Sequence, residues 1–362
     1  MKNFLQILIF TFLCLISIQY SSAQVVGGDN VYEFLNLPSS ARITALGGSL
    51  IAVSDDDVAL GFGNPASLNA SMHQQLSFNY NFHLAGINNG YFAYGHHIDK
   101  WKTSTHFGVQ YIDYGDFDAA DELGNITGTF KAAEYAITTG GSYQLYEKMT
   151  IGANVKFISS QFESFNSIGL ATDIAAMYQD TANQFTATLV FKNVGTQFTT
   201  YRTNNNEPLP FDIQIGVSKK LKHLPFRFSV IGHNLQRWNI LFDDPNIEDE
   251  TFIIDDTQAG NEQTTGEKIG VQVDNFFRHI IFNGEFLFGK RENFRLRFGY
   301  NHLRRQELTV RRLRSLAGFS FGVGIKISRF RIEFGQGVYH LAGGASHLSI
   351  STNLSEFKKK RR

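Results

Sequence analysis

The chain has 362 residues, with 34 Phe, 33 Gly, only 6 Pro, and equal numbers of basic and acidic side chains, 33 of each. That length suits one large barrel or two ordinary domains, and a balanced charge argues against a nucleic-acid partner. The single cysteine, Cys14, excludes a disulfide framework and a thiolate metal centre.

The chain opens on Lys2, an apolar run from Phe4 to Ile18, and Ser21-Ser22-Ala23. This is the pattern of a secretory signal, so residues 1–23 are expected to be removed, and Cys14 with them. No later stretch approaches the ~20 continuous apolar residues of a spanning helix. Residues 24–74 lack long alternation and carry Gly47-Gly48, Asp55-Asp56-Asp57 and Asn64-Pro65-Ala66. They are expected to form a plug segment that enters the lumen or caps the periplasmic mouth. The three aspartates lack the ligand ladder of a calcium loop and suit a helix N-cap before Val58-Ala59-Leu60 better.

From residue 75 the chain alternates. Phe319, Phe321, Val323, Ile325 and Ile327 fall on one side, against Ser320, Gly322, Gly324, Lys326 and Ser328 on the other. After a break at Ser328–Arg329 the pattern resumes with Phe330, Ile332 and Phe334. A period of two over some ten residues puts one face in lipid and the other in water, as in a transmembrane β-barrel. Candidate strands lie at 75–84, 87–97, 102–114, 133–146, 149–162, 166–178, 183–194, 210–222, 225–237, 267–276, 279–289, 292–303, 317–328, 330–341 and 346–354. These are fifteen, whereas a bacterial single-chain barrel has an even number, with short periplasmic turns and long outer loops. Loop lengths counted from both ends agree only if 267–276 (Ile269, Val271, Val273) belongs to one outer loop, 238–278. The expectation is therefore an all-β, 14-stranded antiparallel transmembrane barrel over 75–357. An N-terminal plug precedes it and a basic tail, 358–362, follows.

Lumen-facing positions read as polar: Asn79, Asn81, Asn154, Lys156, Thr186, Thr188, Asp212, Gln214, Arg295, Arg297, Arg331 and Glu333. Gly322, on that face, is expected to tolerate serine. Trp101, Tyr111, Tyr114, Tyr143, Tyr146, Trp238, Tyr300 and Tyr339 fall near strand ends, where an aromatic girdle lies.

Gly318-Phe319-Ser320-Phe321-Gly322 matches G-x-S-x-G, but that chemistry needs a strained strand-to-helix turn and this pentapeptide continues a strand. Adjacent His96 and His97 point to opposite faces of a strand and cannot share a metal. No catalytic, cofactor or metal site is expected. Two outer loops carry biased charge. Loop 238–278 holds Asp243, Asp244, Glu248, Asp249, Glu250, Asp255 and Asp256, and loop 304–316 holds Arg304, Arg305, Arg311, Arg312 and Arg314 against Glu307. Arginine suits bidentate grip on carboxylate or phosphate. These loops are the candidate partner-binding residues, with two ordinary solvated loops as the alternative.

The ordered set Phe34-Leu35, Ser40-Ala41-Arg42, Leu46-Gly47-Gly48, Asp55-Asp56-Asp57 and Asn64-Pro65-Ala66 resembles the N-terminal motif of the PorV/PorQ barrels. Those are distant cousins of the long-chain fatty-acid transporter barrels. Tyr114-Gly115-Asp116-Phe117, Asp121-Glu122-Leu123-Gly124 and Gly128-Thr129-Phe130 are similar to the first outer loop of the group. Phe277-Arg278-His279-Ile280, Gly299-Tyr300-Asn301, Arg305-Gln306-Glu307-Leu308 and Ala317-Gly318-Phe319-Ser320-Phe321-Gly322 resemble its PorQ branch. The resemblance implies a non-enzymatic outer-membrane component of the type IX secretion system. Its partners would be a PorZ-like surface protein, a PorU-like sortase, a PorV-like barrel, and outer-membrane lipid with lipopolysaccharide. The match departs at the C-terminus, where Phe357 is out of phase with Leu348, Ile350 and Leu354. Two functions remain open at this point: an anchor for a surface partner, or a transporter of hydrophobic small molecules.

Overall fold

The computed structural model describes residues 30–83, 86–202, 205–241, 265–289, 291–308, 316–340 and 343–357. Residues 1–29, where the signal sequence is expected, and residues 358–362 lie outside them. The strands are β1 Gln75–Phe82, β2 Asn88–Ile98, β3 Thr103–Ala120, β4 Ile126–Tyr146, β5 Met149–Phe162, β6 Phe165–Asp180 and β7 Phe185–Thr199. They continue with β8 Asp212–Lys220, β9 Phe226–Gly232, β10 Ile280–Phe288, β11 Phe294–Asn301, β12 Phe319–Ile327, β13 Phe330–His340 and β14 Gly343–Asn353. Each pairs antiparallel with its chain neighbours, and β1 pairs with β14 from Gln75↔Asn353 to Phe82↔Ser346, closing a 14-stranded barrel. Closure leaves no open edge, which is the condition for a sheet to span lipid.

The alternation holds around the wall. On β12, Phe321 and Val323 are exposed at 46% and 37%, while Ser320 is 2% exposed. Each polar residue expected inward, from Asn79 and Asn81 through Lys156 to Arg331 and Glu333, is buried. Six turns on one rim are short, and the longer connections 200–211, 233–279 and 302–318 leave from the other. We refer to these as the short-turn rim and the long-loop rim.

Several expectations need correction. The predicted outer loop 115–132 is mostly ladder: β3 and β4 run on as a hairpin that turns at 121–125. The Asp121 carboxylate closes that turn by accepting the Leu123 and Asn125 N–H groups, and Phe117 stacks on Phe130 at 5.3 Å between centroids. Likewise β7 extends to Thr199 inside the predicted loop 195–209. Residues 267–276 are in no strand; they belong to a helix, Thr265–Arg278. Its apolar residues Ile269, Val273, Phe276 and Phe277 follow the 3.6 period, which the chance alternation Ile269-Val271-Val273 had concealed. Tyr114 and Tyr339 are no girdle residues: Tyr114 donates to the buried Glu134, and the Tyr339 ring lies beneath the Arg304 guanidinium. Phe357 is out of phase because β14 has ended; it sits in a 3₁₀ turn, Leu354–Phe357, against Phe330 and Arg329.

Residues 30–74 and the barrel belong to one compact unit. The segment folds as short pieces, among them helices α1 Ala41–Ala45 and α2 Leu60–Gly63 and a 3₁₀ turn Pro65–Ser67. These are capped by Ser40, whose hydroxyl accepts from Ile43, and by Asn64, whose carbonyl accepts from Ala66. The segment meets inward-facing residues around the wall. Ala41 N–H donates to Ser349, Gly47 N–H to Ser320, and the Ser142 and Ser218 hydroxyls donate to the Leu68 and Ala52 carbonyls. Ser320 is thus a strand residue whose hydroxyl is taken by the segment. At several other points of close approach the wall residue is glycine. A Cβ on Gly335 would stand 2.1 Å from the Ala41 carbonyl oxygen, and one on Gly299 would stand 2.2 Å from the Gly47 nitrogen. Gly322 belongs to the same set, with Ala45 Cβ at 2.4 Å from such an atom. The expected tolerance of serine there is therefore withdrawn.

Candidate functional site: an arginine–carboxylate cluster inside the barrel

Arg42 is fully buried, on a helix too short to hold it by its own hydrogen bonds. What fixes it is charge. Its Nε donates to Glu285 Oε1 at 3.0 Å and its Nη2 to Glu285 Oε2 at 3.1 Å. Nη1 and Nη2 grip Asp55 at 2.9 and 2.7 Å, and Nη1 also reaches Asp57 at 3.3 Å. Five bonds match the five N–H groups of a guanidinium.

The wall completes the cluster. Glu285 on β10 also accepts from Arg227 Nε and Arg297 Nε, both at 2.9 Å. Arg297 Nη2 donates to Glu333 at 2.7 Å, and Arg331 holds Asp56 through two bonds of 2.9 Å. Arg295 lies 3.8 Å from Asp56. Five arginines (42, 227, 295, 297, 331) thus face five carboxylates (Asp55, Asp56, Asp57, Glu285, Glu333). Such groups are tolerable in a buried interior only when paired and hydrogen-bonded. Burial would raise the Asp55 carboxyl, but the Arg42 guanidinium beside it holds it well below the usual carboxylate range. Burial likewise works against Asp56, and the hydrogen bonds from Arg331 outweigh it and keep its pKa low.

A second tie lies across the barrel. Lys156 Nζ donates to Asp173 and to Asn193, each at 2.9 Å, and stands 4.6 Å over the Phe62 ring. Asn154 links Asp173 to the Gly61 carbonyl of α2. The aspartate triplet therefore meets arginines. The expected N-cap is not made by the triplet: α2 begins at Leu60 behind Ala59, without a side-chain cap, and Asp57 instead accepts the Ala59 N–H in the turn ahead of it. Among the described residues, no group of His, Cys, Asp and Glu side chains is arranged to hold a metal.

Parity had already put Arg295, Arg297, Arg331 and Glu333 inside. It did not identify Arg42, Arg227 and Glu285 as the hub. The available signal was an arginine and three aspartates in a stretch, 37–63, otherwise built of small and apolar residues.

Below the cluster, at the short-turn rim, lies a polar cavity of about 630 Å³ lined by Asp56, Glu292, Arg295 and Arg331 among others. On the outward wall, an apolar depression of about 680 Å³ is lined by Tyr143, Ile151, Ile174, Leu189 and Phe191 around the small residues Gly141, Ala153 and Ala176. The 3₁₀ turn at Pro65 lies behind it: a Cβ on Gly152 would stand 2.5 Å from the Pro65 carbonyl carbon.

Of the sequence-derived partner-binding residues, Arg304 and Arg305 lie on helix α4, His302–Glu307, at the long-loop rim. Arg304 turns inward. Its guanidinium lies 4.8 Å over Tyr339, and a Cβ on Gly48 would stand 2.4 Å from its Nη2. It closes over the N-terminal segment. Arg305 packs on the backbone at Gly318. Arg311, Arg312, Arg314, Asp243, Asp244, Glu248, Asp249 and Glu250 lie outside the described residues.

No family model matches the chain, and no curated protein matches it. Solved structures similar to it include a deltaS2S3 mutant of the TodX monoaromatic hydrocarbon channel, at 13% identity, covering 88% of this chain and 99% of that one, with a TM-score of 0.48. A deltaS2 mutant of TodX has 12% identity, 86% and 96% coverage and a TM-score of 0.49. A Pseudomonas aeruginosa FadL homologue has 9% identity, 87% and 98% coverage and a TM-score of 0.44. At these identities and scores the likenesses do not bear on function.

Proposed function

We propose that the chain is a non-enzymatic barrel of the outer membrane that anchors a surface partner at its long-loop rim. The observation that supports this reading is the contact of residues 30–74 with inward-facing wall residues: Arg42 meets Glu285 on one side, and Asn154 and Lys156 meet Gly61 and Phe62 on the other. A barrel braced by its own chain is suited to be a rigid support, and loops carried on a rigid support are a usual place for binding. The finer reading rests on the sequence resemblance. It is the PorQ-like place in a type IX attachment complex, beside PorV-like, PorU-like and PorZ-like partners and lipopolysaccharide. Deletion of the chain tests it. A surface protein and attached cargo are expected to move from the cells to the medium, and retention of both on the cells refutes the role.

A second reading, passage or binding of hydrophobic small molecules, is favoured by the apolar depression on the outward wall. TodX, one of the similar structures, is described as a monoaromatic hydrocarbon channel. On this reading the N-terminal segment would have to leave the wall for a molecule to pass. Organic extracts of the purified chain distinguish the two: a hydrophobic ligand in constant ratio to protein supports the second.

A further inference from the structure

Helix α3, Thr265–Arg278, is turned the wrong way for a helix on a water-soluble surface. In its last turns the polar side faces protein, while Val271 and Gln272 earlier on the helix are exposed. Asp274 takes hydrogen bonds from Arg278 at 2.7 Å and is bonded to His302 Nε2 at 2.9 Å. Asn275 is buried; its Nδ2 donates to the Trp238 carbonyl at 2.7 Å and its Oδ1 accepts the Ile240 N–H at 3.2 Å. The apolar side is open: Ile269, Val273, Phe276 and Phe277 are exposed at 56, 49, 47 and 40%. At 3.6 residues per turn these four fall within an arc of about 100°, the width of one buried stripe.

The position of this stripe identifies what covers it. Phe277 packs edge-on against His302, centroids 6.1 Å apart, and His302 Nδ1 is hydrogen-bonded to the Tyr300 hydroxyl at 2.8 Å. The Tyr300 ring in turn meets Phe319 at 4.9 Å. Tyr300 and Phe319 occupy the outward, lipid-facing register of β11 and β12, in line with Phe298 and Phe321. An unbroken aromatic path therefore leads from the helix to the lipid-facing band. Trp238 adds to it, 60% exposed and stacked on the buried His279, through which the helix enters β10.

We propose that α3 is an interfacial helix lying in the leaflet at the long-loop rim. Ile269, Val273, Phe276 and Phe277 would face acyl chains, with Trp238 at the headgroup level beside them. An amphipathic helix in the interface plane gains from burying its apolar face, and tryptophan favours that depth. The occupant is lipid because the face continues a lipid-facing surface and Asp274, Asn275 and Arg278, on the opposite side, are already used by the protein. The inference rests on the transmembrane barrel and on neither functional reading.

The test uses the full chain reconstituted in phosphatidylcholine vesicles. Its two tryptophans are Trp101 and Trp238, so Trp101→Phe leaves one reporter. With acyl chains brominated next to the headgroups, Trp238 should lose most of its emission relative to unbrominated vesicles. In a Cys14→Ser background, nitroxides at Val273→Cys and Phe276→Cys should be relaxed by oxygen more than by a water-soluble nickel complex, as at Phe321→Cys. Asn125→Cys, on an exposed turn, should show the reverse. Unquenched Trp238 with helix labels behaving like Asn125 overturns the proposal and leaves a water-facing surface for a protein partner. Labels shielded from both reagents overturn it as well, because polypeptide then covers the face.

Discussion

Replacing Arg42 by methionine isolates the interaction that joins residues 30–74 to Glu285 of the wall. The guanidinium meets Asp55, Asp57 and Glu285, with its own side chain and that of Glu285 at 0 and 3% exposure. Methionine keeps much of the volume but leaves carboxylates behind. Glu285 retains Arg227 and Arg297, whereas Asp55 keeps the Asp57 N–H at 3.3 Å and the longer arginine contact, to Arg227 at 3.4 Å. Removing one partner of a buried ion pair costs about 3–5 kcal/mol. The cost falls on docking of the segment, since the strand ladder is untouched, and it weakens docking by a factor between about 10² and 10⁴. Protease digestion of barrels in detergent reads this directly. Arg42→Met should expose residues 30–74 to cleavage while β1 to β14 remain a protected core. Arg42→Met/Asp55→Asn should recover part of the protection, because less charge is then left unpaired. Cleavage of Arg42→Met no faster than that of the parent would refute the claim that this cluster holds the segment.

Gly335→Val should detach α1 as effectively as the loss of Arg42, since its Cβ meets the Ala41 carbonyl; Gly128→Val, in open space, should not, by the same digestion. Phe321→Arg should reduce heat-modifiable folded barrel in membranes, because arginine at mid-depth on the lipid face costs about 2–4 kcal/mol. Ser320→Ala loses the bond from Gly47, about 1 kcal/mol of docking, and should leave surface attachment of cargo unchanged. The pKa values of Asp55 and Asp56 are held low by Arg42 and Arg331 against the effect of burial. Their contribution to docking is complete above the ordinary carboxylate range and is lost only as pH falls through the depressed values. Protection from an acid-tolerant protease should therefore persist at about pH 4, near the unperturbed carboxylate value, and fail in stronger acid.

The barrel was legible because lipid leaves a simple mark. Phe319, Phe321 and Val323 alternate with Ser320, Gly322 and Gly324 without interruption, and the same parity named Arg295, Arg297, Arg331 and Glu333 as inward. Loop-length bookkeeping then removed 267–276 from the wall correctly. The helix there was missed because Ile269, Val271 and Val273 satisfy a period of two locally, while Phe276 and Phe277, which reveal the longer period, lie at its end. The hairpin above β3 and β4 was missed because Phe117 and Phe130 sit among Gly and Asp residues that read as loop, although Asp121 closes the turn. The Arg42 cluster was not legible. Its members come from the segment and from strands far apart in sequence, and only the closed barrel brings Arg42 to Glu285 and Asp56 to Arg331. Gly322 carries the same lesson on a smaller scale, because nothing local shows that Ala45 will stand against it.

The central claim is that this barrel serves as an anchor. The most direct measurement is purification of the intact chain from solubilised outer membranes, with mass spectrometry of both bound protein and bound small molecules. The account predicts a surface protein in constant ratio to the barrel, reduced when Arg305, Arg311, Arg312 and Arg314 are replaced by glutamine, with the inward-turned Arg304 left in place. Recovery of the barrel with a stoichiometric hydrophobic ligand and no bound protein would contradict it.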